Sequence, residues 1–157
     1  GGSCLCEPVM ADFLANHGKA FDVISLELGV NMRGSYSSEE FAERAGSLLD
    51  RVACGHPDTP IAVVTIFPNA EHHRKDGPSV AGRNQDAYDD ILRQWVARNR
   101  HRRVPVELIE GREILTDVTG HRGDLLHPGL WASIEMGERL AARLESLIGR
   151  SAALHPG

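Results

Sequence analysis

Apolar positions along the chain fall into segments whose spacing alternates between helix and strand. Glu7 to Asn16 reads as a short helix, with Pro8 in its first turn and Val9, Phe13 and Leu14 on one side. Val23 to Leu28 reads as a strand that stops at Gly29. Ser37 and Glu40 then have the spacing of a capping box, and Phe41, Ala45, Leu48, Leu49 and Val52 follow at helical intervals until Gly55. Ile61 to Phe67 is nearly all apolar and rich in β-branched residues, as a strand buried on both faces should be. A polar loop from Pro68 to Arg83 leads to Asn84, read as the N-cap of a helix that carries Tyr88, Ile91, Leu92, Trp95 and Val96. Val104 to Ile109 is a third strand. After another long loop, Leu130, Ile134, Leu140, Ala141, Leu144 and Leu147 mark a last helix ending near Gly149. Trp95 and Trp131 both lie on helical stripes and are expected in the core.

Strict alternation of helix and strand implies parallel strands joined by right-handed crossovers, hence a three-layer α/β/α sandwich. The expected organisation is one domain over residues 1–149 with a tail over 150–157. Three strands make a small sheet for this architecture, and the chain does not begin with methionine. One or two strands upstream of Gly1 would complete it.

A content of 41% hydrophobic and 25% charged residues suits a soluble globular domain of 157 residues. The net charge of −5 argues against a general nucleic-acid binder. The basic tract Arg98 to Arg103 reads as a solvated helix C-terminus, where cations complement the dipole. No apolar run approaches the roughly 20 residues that span a bilayer, and no signal-peptide pattern opens the chain. Cys4, Cys6 and Cys54 have no zinc-ligand spacing, and Cys4-x-Cys6 is too close for an easy disulfide. Reduced, partly buried thiols in a cytoplasmic protein are expected.

Ligands of open parallel sheets bind beyond the carboxyl ends of the strands. The segments Gly29 to Arg33, Pro68 to Arg83 and Gly111 to His127 each follow a strand, so all three leave one edge of the sheet. Asp124 and His127 stand three residues apart before Pro128, which restricts the histidine and opens a helix. A carboxylate on one imidazole nitrogen fixes the tautomer and leaves the other nitrogen to take a proton. Asn31, at the turn that leaves the first strand, carries a short amide that can donate to an oxyanion, and Gly29 permits the sharp exit. Alone, each pattern has an ordinary explanation as a turn. Together, after strands of one sheet, they point to a hydrolase. His72 and His73, with Glu71 and Asp76 nearby, lack a metal-binding frame and read as a surface loop lining the cleft.

Leu28-Gly29-Val30-Asn31 and Asp124-Leu125-Leu126-His127-Pro128 resemble two of the four sequence blocks of the SGNH (GDSL-like) hydrolases, which supply a Ser, a Gly, an Asn and an Asp-x-x-His. Gly1-Gly2-Ser3 resembles the end of the glycine block, and Gly55 to Pro60 with the strand ending at Phe67 is similar to a bacterial branch of the family. The resemblance runs from Gly1 to about Gly149. It implies an SGNH-type sandwich of flavodoxin-like topology and ester or acyl hydrolysis without metal or cofactor. In that scheme His127 is the general base, Asp124 its orienter, and the Gly2 backbone and Asn31 the oxyanion donors. The family's nucleophilic serine lies in a Gly-Asp-Ser-like block ahead of the glycine block, which here falls before residue 1. Ser3 follows the glycine instead of sitting at a first-strand turn.

The resemblance therefore implies an N-terminally truncated serine-type esterase or acylhydrolase with a small-molecule ester or acylated substrate, and neither nucleic acid nor membrane as partner. The alternative is a non-catalytic module that holds an acylated or carbohydrate ligand in the same cleft. A third reading is a metal-dependent hydrolase built from His72, His73 and the Asp124/His127 pair.

Overall fold

A computed structural model describes residues 4–77, 79–100 and 105–154. Its elements are α1 (Pro8–Ala15), β1 (Ile24–Glu27), α2 (Ser38–Gly55), β2 (Ile61–Val64), α3 (Val80–Asn99), β3 (Val106–Ile109), the single-turn α4 (Gly111–Ile114) and α5 (Leu130–Leu154). Short 3₁₀ turns cover Ala70–His73 and Val118–Gly120. The strands form one parallel sheet in the order β1-β2-β3, with Ile24 opposite Ile61 and Ile61 opposite Val106.

Side-chain alternation along β2 divides the interior in two. Ile61 and Val63 face a core with Phe41, Leu48, Leu49, Tyr88, Leu92 and Trp95, covered by α2 and α3, with α1 packed on α2. Ala62 and Val64 face the opposite side with Ile109, Ile114 and Leu147, covered by α4 and α5. This is the three-layer sandwich expected from the alternation of periods. The Ser37 capping box forms with Glu40, whose amide donates to Ser37 Oγ at 3.2 Å while its carboxylate accepts from the Ser37 amide at 2.8 Å. The rings of Phe41 and Tyr88 stack at 3.8 Å between centroids, joining α2 to α3.

Several sequence expectations need correction. Asn84 does not cap α3; Ser79 does, accepting from Gly82 N at 3.2 Å, so Asn84 lies within the helix. α5 continues past Gly149 to Leu154. Val9 and Phe13 are exposed on α1, where Ala11 is the buried residue against α2. Trp131 is not core: it is 78% exposed, and Leu130 and Ile134 are exposed beside it. The buried side of α5 runs through Ala132, Met136, Leu140, Leu144 and Leu147, and one residue is about 100° round a helix. The three cysteines are free, with Cys6 buried, Cys4 half-buried and Cys54 exposed. Of the basic tract, Arg98 occupies the last turn of α3, and His101 to Arg103 lie outside the described residues. Among the described residues, no helix is long and apolar enough to cross a membrane.

The exit of β2 is fixed to that of β3 by side chains. Thr65 Oγ1 accepts from Gly111 N at 2.8 Å and donates to Glu110 at 3.2 Å. Arg93 of α3 grips both oxygens of Glu110 at 2.7 Å. Gly111 fits because a Cβ there would lie 2.5 Å from the Thr65 carbonyl oxygen. Asp89 Oδ1 accepts from Ile66 N at 3.0 Å.

β1 differs from β2 in that its outer edge carries no strand among the described residues. Ser25 is exposed, and Glu27 is half-buried, its Oε1 buried and without a partner among the described residues. Burial first, then the nearby Cys4 and Asp89, pushes the Glu27 carboxyl up to about 7. Burial likewise raises Asp89 to about 6, against the opposing bond from Ile66 N.

Because both folded-state values exceed the unfolded ones, the neutral carboxyls favour the folded chain. Their contribution is complete below the ordinary carboxylate range and is lost as pH rises through about 6 and 7. Melting temperatures measured from pH 5 to pH 8 should fall for the wild type, and fall less for Glu27→Gln. Thr65→Val should cost about 1–3 kcal/mol in urea titrations, since it leaves the buried Gly111 amide without its acceptor.

Candidate active site

The loop before α5 closes on itself through backbone bonds from Arg122 N to His127 O (2.8 Å), Leu125 N to Arg122 O (2.9 Å) and Gly129 N to Gly120 O (2.7 Å). Inside it, Asp124 Oδ1 accepts from the amides of Leu126 and His127, both at 2.9 Å. Its other oxygen accepts from His127 Nδ1 at 2.8 Å. The two backbone amides and the imidazole N–H hold the Asp124 carboxyl well below the usual carboxylate range, the His127 amide contributing most. Asp124 therefore stays ionised near neutrality and keeps the proton of a neutral His127 on Nδ1. Nε2 then presents a lone pair, and no group hydrogen-bonds it among the described residues. The pair sits at the surface, with side chains 48% and 67% exposed.

Asn31 occupies the turn after β1. Gly29 opens that turn at φ 119°, and a Cβ there would lie 3.0 Å from Ile66 Cδ1 and 3.2 Å from Tyr88 Cδ2. Met32 N and Arg33 N both donate to Gly29 O. From α3, Tyr88 Oη donates to Tyr36 O at 2.7 Å, and Asn84 Nδ2 donates to Arg33 O at 2.8 Å. Asn31 is exposed at the crest of this pinned turn.

The three strand-exit loops are tied together by a polar network centred on Gln85 of α3. Gln85 Oε1 accepts from Arg33 after β1 and from Asn69 Nδ2 after β2. Gln85 Nε2 meets the ring of His72. Ala70 N donates to Leu125 O at 2.8 Å, and His121 Nε2 lies 2.7 Å from Pro68 O, linking the second loop to the one that carries His127. Gln85 and Asp89 had a visible signal: both fall on the apolar stripe of α3 with Tyr88 and Leu92, where polar residues are buried only with partners.

The structure thus pairs Asp124 with His127 directly and brings Asn31 to the same edge through this network. Gly2 and Ser3 lie outside the described residues. His72 is engaged by Gln85 and the Asn69 amide, and the side chain of His73 is not described. Among the described residues, no group of three or more His, Cys, Asp or Glu is placed to hold a metal ion. A cavity of about 430 Å³ opens beyond the ends of β2 and β3, lined by Thr65, His72, Asp86, Asp89, Arg93 and Glu110 among others. Its walls are charged, and they do not include Asp124 or His127.

No protein-family model and no curated protein matches the sequence. Solved structures do match the fold. A candidate GDSL-like lipase from Bacteroides ovatus ATCC 8483 superposes with a TM-score of 0.72 at 19% identity, covering 94% of this chain and 42% of that one. A carbohydrate esterase of family 3 from Talaromyces cellulolyticus gives 0.72 at 17% identity, over 93% of this chain and 67% of that one. A peptidoglycan O-acetylesterase gives 0.68 at 15% identity, over 96% and 45%. The chain spans less than half the length of the first and third of these. Its fold is that of the SGNH hydrolases, the family that its Gly-x-Asn and Asp-x-x-His segments resemble.

Proposed function

We propose that this chain forms the greater part of a serine-type ester or acyl hydrolase site, and the Asp124–His127 pair carries the reading. In the proposed reaction, His127 Nε2 takes the proton of a serine hydroxyl as its oxygen attacks the ester carbonyl. The carbonyl π electrons move to oxygen, where Asn31 and the Gly2 backbone amide donate to the oxyanion. Collapse expels the alkoxide, which receives the proton from His127 and leaves as the alcohol. Water, deprotonated by the same nitrogen, then cleaves the acyl-enzyme to the acid and restores the serine. Asp124 keeps the imidazole in the required tautomer throughout.

The nucleophile in this scheme belongs to a segment ahead of Gly1. Two features of β1 support a neighbour there: among the described residues, its outer edge carries no strand and the Glu27 Oε1 has no partner. Ester hydrolysis is also what the names of the structural neighbours share, a carbohydrate esterase and a peptidoglycan O-acetylesterase among them, which agrees with an ester or acylated substrate here.

The present chain should hydrolyse p-nitrophenyl acetate poorly, at best with the roughly 10³–10⁴-fold residual rate that binding and oxyanion stabilisation give. Rapid labelling of this chain by a fluorophosphonate, with turnover, would instead place the nucleophile on a serine of this chain, Ser3 the first candidate. Labelling of neither this chain nor one extended upstream would favour the binding module. In an ester-hydrolysing extended protein, His127→Ala should lower kcat by at least about 10²-fold with the melting temperature nearly unchanged. Asp124→Asn should also lower kcat by allowing the wrong tautomer. A rate indifferent to His127→Ala would end the proposal.

A further inference from the structure

Two nucleophilic side chains that the proposed reaction does not use, Cys4 and Cys6, stand on either side of Leu5 in the segment leading into α1. Cys6 is buried and Cys4 half-buried, and both pack into the core beneath α2 and α3. Arg44 of α2 donates to the Leu5 carbonyl at 3.4 Å, and Glu7 O accepts from Met10 N and Ala11 N, so the segment is held on both sides of Cys6. Cys6 itself stands at φ 52°, in the left-handed region that a residue with a side chain rarely adopts.

The two thiols meet. The S–H of Cys6 donates to the sulfur of Cys4, which lowers the Cys4 thiol to about 6 against its own burial. The same bond, with burial, raises Cys6. Of the charges around the pair, Glu7 in the same segment opposes ionisation of both thiols, and Arg44 eases that of Cys6. Glu27 of β1 lies near enough for a charged Cys4 to push its carboxyl up. A half-buried thiolate against a buried thiol is the arrangement of an attacking and a resolving cysteine. Thiols packed only as small apolar groups need neither sulfur against sulfur nor a left-handed backbone.

Spacing determines the kind of disulfide this pair can form. Two residues span at most about 7 Å between Cα atoms, the upper edge of the roughly 4.4–6.8 Å that a disulfide bridges. The ring is small and strained, so low-molecular-mass thiols can reopen it, and it removes little entropy from the unfolded chain. A cavity of about 280 Å³, lined by Cys6, Pro8, Glu40, Glu43, Arg44 and Ser47, gives small molecules an approach. Cys54 is no competing partner, because about ten residues of α2, roughly 15 Å, separate it from Arg44.

We propose that Cys4 and Cys6 form a reversible modification site, a dithiol that exchanges with low-molecular-mass disulfides to give an intrachain disulfide. Cys4 Sγ, as the thiolate, attacks one sulfur of the small disulfide. That S–S bond breaks, and the departing thiolate takes a proton from solvent. Cys6 gives its proton to solvent, its sulfur attacks Cys4 Sγ, and the second small thiolate leaves and is protonated. Two protein thiols are oxidised, and one small disulfide is reduced to two thiols. The site stands whether or not the chain hydrolyses esters.

The test equilibrates the folded full chain in glutathione buffers of graded oxidised-to-reduced ratio, followed by acid quenching, alkylation and peptide mapping by mass spectrometry. A Cys4–Cys6 disulfide should accumulate as the ratio rises and disappear when reduced glutathione is restored, while the exposed Cys54 carries only a glutathione adduct. In Cys6→Ser, reaction at Cys4 should stop at the glutathione adduct, and in Cys4→Ser, Cys6 should remain a thiol. Near pH 6.5, iodoacetamide should alkylate wild-type Cys4 about fivefold faster in the folded chain than in urea, the larger thiolate fraction outweighing its lower nucleophilicity. The wild-type map and this rate decide the matter even if a serine variant fails to fold. Glutathione retained on wild-type Cys4, a disulfide that reduced glutathione does not reopen, or alkylation no faster than in urea overturns the proposal.

Discussion

The hydroxyl of Thr65, buried at the end of β2, serves two strand exits at once. It satisfies the first amide of the β3 exit loop, at Gly111, and donates to Glu110, which Arg93 of α3 clasps with two nitrogens. Next to it, Asp89 accepts from the first amide beyond Thr65. These bonds set where the second and third strand-exit loops begin. The ion pair of Arg93 with Glu110 is partly exposed, and bidentate geometry makes it a positional restraint more than a source of stability. Without this clasp the loops would leave the sheet at undetermined angles, and the bonds from Ala70 to Leu125 and from His121 to Pro68 would have no fixed origin.

From that origin the polar network spreads outward in a definite order. α3 is its spine, presenting Asn84, Gln85 and Tyr88 toward the first loop and Asp89 and Arg93 toward the others. One helix thereby fixes the turn that carries Asn31 and the loop that leans on His127's own. Each buried polar group in this array has a partner among the described residues, as an interior of low dielectric demands. Glu27, on the neighbouring β1 at the same carboxyl end of the sheet, is the contrast: its Oε1 has no partner among the described residues.

Much of this could be read from the chain. Strand and helix periods gave the layers, because β2 is buried on both faces and α2 has a broad apolar stripe. Asp124 and His127 were legible because their contact is local. Other features depended on the tertiary neighbourhood. Trp131 sits on a stripe that looks like core, yet Ala132 and Met136 determine which side of α5 packs. Asn84 has the composition of a cap, but Ser79 reaches Gly82 first and Asn84 is recruited by carbonyls some fifty positions away. Gln85 shows as a polar residue on an apolar stripe, but which groups it bonds does not, because its partners Arg33, Asn69 and His72 come from different loops.

The Asp124–His127 contact has a separation of three positions, and the bonds that close the ring around it lie between Gly120 and Gly129, while Ala70 N and Pro68 O tie that ring to the second loop. Closing so small a ring costs little chain entropy, and none of that cost depends on the sheet. Such a unit has very low contact order and can assemble before the parallel strands meet. Orienting the imidazole is thus a local matter, separate from placing it in the cleft. The fold supplies only an address for a pair already made, which leaves selection free to alter the rest of the cleft while this ring keeps its form.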